Sequence, residues 1–117
     1  MDKQHRIDFP VWNYTVHVVY TNDIRKARQA RVNVVGALEE PLHEFVDAMH
    51  CYNPVEPDGI IFIAPTTSAG VICHEAFHAM WRMFKWAGAK PENETYAYHL
   101  GYLVDKILDQ KKKWDKE

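Results

Sequence analysis

Residues 11–21, VWNYTVHVVYT, alternate in character: Trp12, Tyr14, Val16, Val18 and Tyr20 fall on one side of an extended chain. A period of two in β-branched and aromatic residues predicts a strand with one buried face. GIIFIAP, residues 59–65, is a short apolar run ended by proline and reads as a second, fully buried strand. The turn NPVEPDG precedes it, with two prolines and a glycine. Residues 38–52 are ambiguous, because Leu42, Phe45, Val46 and Met49 also fit a helix. A hairpin pairing 47–52 with 60–64 is the preferred reading.

The remaining segments switch to helical spacing. TND at 21–23 supplies turn and cap chemistry, and Ile24, Ala27 and Val34 or Val35 follow, predicting a helix over 23–36. TTS at 66–68 caps another helix, with Cys73, Ala76, Phe77, Met80 and Phe84 as its apolar stripe and Gly88 as its stop. Tyr96, Leu100, Leu103, Val104, Ile107 and Leu108 define the last helix. The polar tail at 110–117 is expected to fray. The order is strand, helix, two strands, two helices. We read one α+β domain over residues 1–117, with a short sheet of about three strands.

Composition excludes several classes. Apolar residues make up 47% of the chain, enough for a core and unlike a disordered segment. Net charge is −2, which gives no support to nucleic-acid binding. The basic stretches IRKARQAR (24–31) and KKK (111–113) read as solvated faces. No apolar run is long enough for a membrane span, and the first ten residues are polar, so an intracellular (cytoplasmic) protein is expected. Two cysteines, Cys51 and Cys73, are read as free thiols, Cys73 as a small buried residue.

His74-Glu75-Ala76-Phe77-His78 matches H-E-x-x-H. Helix positions i and i+4 lie one above the other, so both imidazoles can reach one ion. Glu75 is turned by about 100° from His74. From there it can take a proton from water at an open coordination position. The plainer alternative is a surface histidine pair beside a surface glutamate. On the helical wheel, His74 and His78 are expected at the edge of the apolar stripe. Catalytic zinc also needs a third protein ligand. PENETYAY (91–98) offers Glu92 and Glu94 at the start of the next helix. Glu94 is the stronger candidate, because Ala97 and Gly101 on its side would let the helix approach its neighbour closely. The alternative for both is an acid complementing the helix dipole. His43, His50 and His99 are weaker candidates as ligands or oxyanion donors, against surface or hydrogen-bonded histidines. Tyr98 and Tyr102 are weighed as oxyanion donors against packing.

The strand, the helix with HEAFH and the helix beginning NETYAY resemble the gluzincin-type zinc metallopeptidases. The likeness is strongest to compact single-domain members of bacteria and phages. These follow HExxH with E-x-x-A-Y and then GYL, here Glu94, Ala97, Tyr98 and Gly101–Leu103. The resemblance covers about residues 59–108. It implies a zincin-like fold, Zn2+ held by His74, His78 and Glu94, Glu75 as catalytic base, and a peptide or protein substrate. Only fifteen residues separate His78 from Glu94, so KWAGAKPEN must form a tight loop between the helices. Two rivals stand beside this reading. One is a catalytically silent zincin-like module. The other is a di-iron bundle using Glu75-x-x-His78 and Glu40-x-x-His43. Pro41 confines the second of those motifs to a first helical turn, and the strand-like first half leaves too few helices.

Overall fold

The computed structural model describes residues 2–35 and 47–117. Among these, β1 (Lys3–Phe9), a 3-10 turn (Pro10–Trp12), β2 (Tyr14–Tyr20), α1 (Ile24–Val35), β3 (Ala48–Cys51), β4 (Asp58–Ile63), α2 (Ala69–Trp86) and α3 (Asn93–Asp115) follow in order. The strands form one sheet in the order β1-β2-β4-β3. β2 and β4 run parallel, and the other two pairings are antiparallel. The fold is α+β, with α2 and α3 on one face of the sheet and α1 on the other.

The alternation of 14–20 decides which face carries the main core. Tyr14, Val16, Val18 and Tyr20 are all buried there, with Ile61 and Ile63 of β4. Ile72, Ala76, Met80 and Met83 of α2 cover them, with Leu103, Ile107 and Trp114 of α3. The opposite face is smaller: Val19, Met49, Cys51, Ile60 and Phe62 meet Ile24 and Ala27 of α1. The expected hairpin is present, with Ala48 opposite Ile63 and Cys51 opposite Ile60. Ser68 caps α2 by accepting from the Val71 amide. Gly88, just past its end, takes a positive φ of 71°, which L side chains rarely adopt.

Two expectations need correction. The sheet has four strands, not about three. β1 was hidden because only Ile7 and Phe9 among its inward residues are apolar. The inward Lys3 and His5 are instead served by the end of α3, through Glu117 at 3.0 Å and the edge of the Trp114 ring. α3 runs on into the polar tail: it continues to Asp115, Trp114 is buried, and the Tyr20 hydroxyl donates to Asp115. Finally, the buried stripe of α2 is rotated from the expected one. Cys73 and Phe77 are exposed, and Ile72, Ala79 and Met83 lie inside instead. Position 36, where α1 was expected to end, and Glu40, Leu42, His43, Phe45 and Val46 lie outside the described residues.

Candidate metal and hydrolytic site

The rotation of α2 sets the site. His74 and Met83 are nine residues apart, about half a turn out of phase. With Met83 fully buried, His74 faces solvent. His78 follows one turn later, and the two Nε2 atoms stand 3.2 Å apart. Two nitrogens bound tetrahedrally at 2.0–2.1 Å from one zinc would be about 3.3 Å apart. The pair therefore already has the spacing of two ligands on one ion.

Glu75 lies on a different flank of the same helix, against β3, and is only 5% exposed. Its Oε1 accepts from the backbone N–H of His50 at 3.0 Å. Its Oε2 lies 4.0 Å from His74 Nε2. One oxygen is thus held by β3 while the other is turned to the histidine pair. A carboxylate held in this way can accept a proton from a group placed beside the pair.

The third proposed ligand is placed differently. Glu94 is exposed, in the first turn of α3, and shares a shallow surface with Ala97, Tyr98, Gly101, Tyr102 and Asp105. It is nine residues from the buried Leu103, and so about half a turn from the packed side of α3. The expected close approach at Ala97 and Gly101 is not how the helices meet. A Cβ on Gly101 would touch nothing within 4 Å. Contact is made instead by Tyr96, whose ring meets Phe77, Trp81 and Phe84 and whose hydroxyl donates to the Phe77 carbonyl. Burial pushes the Tyr96 pKa up to about 12, so it remains a donor. Glu92 is exposed at the cap position of α3. Among the described residues, no group of three or more His, Cys, Asp and Glu is arranged to hold a metal.

The other candidates separate clearly. His99 is hydrogen-bonded on both nitrogens, to the Trp12 indole and the Thr95 carbonyl. Tyr98 and Tyr102 are exposed and help line an open apolar pocket of about 610 Å³ with Phe9, Val11 and Trp12. That pocket does not include the histidine pair. His43 lies outside the described residues.

Two residues beside the motif take places that the sequence reading did not give them: His50, weighed there only as a ligand or oxyanion donor, and Arg82, not singled out at all. His50 is buried, and burial, with the charges of His78 and Arg82, pushes its pKa down to about 3. Arg82 inserts between Tyr52 and Trp86, at 4.4 and 4.8 Å from their ring centres, and donates to the Asn53 and Glu56 carbonyls. It fastens the β3–β4 turn to α2. The only sequence signal for His50 was its register in the hairpin, which turns it inward beside Gly59.

Comparison of the chain with protein-family models, curated proteins and solved structures found no match.

Proposed function

We propose that this protein is a zincin-like, zinc-dependent hydrolase acting on peptide bonds. The observation that carries the reading is the His74–His78 nitrogen pair at 3.2 Å with a Glu75 oxygen turned toward it. His74 and His78 would hold Zn2+, which would supply Lewis-acid activation of water at neutral pH. Glu75 would take the proton, its position held by the His50 amide. Glu94 is the carboxylate that the motif pattern offers as third ligand, although it stands on the outward face of α3. An extended peptide would add to the sheet beside β3, which among the described residues is the edge strand nearest the motif. Among the described residues no helix is long and apolar enough to cross a membrane, and the proposed setting is intracellular.

A second reading has its own support. The Glu75 carboxylate is buried and hydrogen-bonded to the backbone, as a purely structural residue would be. A catalytically silent module follows from that reading. Metal content and one isosteric substitution separate the two. Protein purified without added metal is expected to carry about one zinc per chain, and His74→Ala and His78→Ala to lose most of it. Glu75→Gln is expected to keep zinc and fold while hydrolysis of a peptide library falls by about 10²-fold or more. Full zinc retention in both histidine variants would sink the metal site. Loss of fold in Glu75→Gln would make Glu75 structural.

A further inference from the structure

Behind Glu75, three buried polar atoms have no hydrogen-bond partner: the Tyr14 hydroxyl, His50 Nε2 and one terminal nitrogen of Arg82. They belong to one group. A Cβ on Gly59 would lie 3.0 Å from His50 Nε2 and 3.1 Å from the Tyr14 oxygen, so both atoms face the same glycine. The Arg82 guanidinium lies 5.8 Å from the Tyr14 ring centre, and its charge acts on both Tyr14 and His50. Tyr14 and His50 are each 2% exposed and Arg82 8%, so bulk water does not serve them. Polar atoms buried this deeply end up paired, directly or through one water.

Chemistry fixes the order of pairing. A guanidinium only donates, a phenol both accepts and donates, and a neutral imidazole accepts at one nitrogen. The direct order that satisfies all three atoms runs from Arg82 to the Tyr14 oxygen, and from the Tyr14 O–H to His50 Nε2. That order puts the His50 proton on Nδ1. Gly59 matters because any side chain there would separate the hydroxyl from the ring nitrogen. The backbone N–H of the same His50 donates to Glu75 Oε1.

We propose that His50 is a positioning residue for Glu75: the polar chain Arg82–Tyr14–His50 locks its imidazole, and the locked strand holds the Glu75 carboxylate through the His50 amide. The inference rests on the reading of Glu75 as the base, but its test does not depend on activity alone. In the wild-type protein, nitrogen NMR shifts of the His50 ring are expected to show the Nδ1–H tautomer. Tyr14→Phe keeps the ring and removes the link. It is expected to abolish the tautomer preference and to speed hydrogen exchange of the His50 amide about tenfold. It should also lower kcat about tenfold, with KM and zinc content unchanged. An Nε2–H tautomer in the wild type would overturn the proposal, as would wild-type exchange in Tyr14→Phe. If Tyr14→Phe does not fold, Gly59→Ala carries the same measurements, because its methyl would part the two groups. If the wild type cleaves no peptide, the base reading fails by itself, and tautomer and exchange still decide the role of His50.

Discussion

The two flanks of α2 are built on opposite principles. Toward β3, Glu75 and Arg82 are buried and each is tied to backbone of the β3–β4 hairpin. Toward solvent, His74, Phe77 and Trp81 are exposed, with Phe77 and Trp81 stacked on each other. The motif is thus divided between a carboxylate in a fixed frame and an imidazole pair with one member at the surface. Burial and the His50 amide orient Glu75, while His74 stands exposed. On the proposed function this division would separate stability from chemistry, and substitutions on the two flanks can test it.

The largest stability effect is expected from Arg82→Ala. It removes two hydrogen bonds to turn carbonyls and the ring contacts with Tyr52 and Trp86. A loss of about 3 kcal/mol is expected in urea unfolding. A loss below about 1 kcal/mol would mean that the turn is held by something else.

Acid comes next. The folded-state pKa of His50 is near 3, against an ordinary value of 6.5. Between those values the unfolded chain binds a proton that the folded chain refuses. This contribution is therefore neutral above pH 6.5, and stability is lost progressively as pH falls toward 3. At pH 5 the loss should reach about 2 kcal/mol at most. His50→Gln should flatten this part of the profile. An unchanged acid slope in His50→Gln would place the sensitivity elsewhere.

Tyr20→Phe breaks the tie between β2 and the end of α3 and should cost no more than about 1 kcal/mol at pH 7. The bond is sensitive at both ends of the pH scale. Lys111 and Tyr20 hold the Asp115 carboxyl below the usual carboxylate range, so its contribution is present above about pH 4 and lost as pH falls further. Asp115 in turn raises the Tyr20 pKa to about 12, so the bond is lost as pH rises from 10 toward 12. Thermal melts of the two proteins should converge at both extremes. A constant difference across the range would remove Asp115 from the account.

The smallest effect belongs to the outward flank. His74→Ala in metal-free protein should stay within about 0.5 kcal/mol of wild type. A cost as large as that of Arg82→Ala would erase the distinction between the flanks.

Much of this arrangement was legible without coordinates, and the reason is local. Alternation at Tyr14, Val16, Val18 and Tyr20, the hairpin onto β4, the Ser68 cap and the Gly88 stop depend on residues close in sequence. The placing of His74 and His78 on one face is a property of any α-helix, and it lets their ring nitrogens stand 3.2 Å apart. Three features depended on partners far along the chain. β1 exists as a strand because β2 pairs with it and the end of α3 covers its polar inward residues. The rotation of α2, which exposes Cys73 and buries Glu75, was set by the sheet it packs on, since a helix with apolar residues at Ile72, Phe77, Met80 and Met83 offers more than one face. The phase of α3 was set by Tyr96 wedging against Phe77, Trp81 and Phe84, and that phase turns Glu94 outward. Periodicity specifies which residues share a face of an element. Which face is buried is decided by the competition among all faces for the same core, and that competition exists only in the tertiary structure.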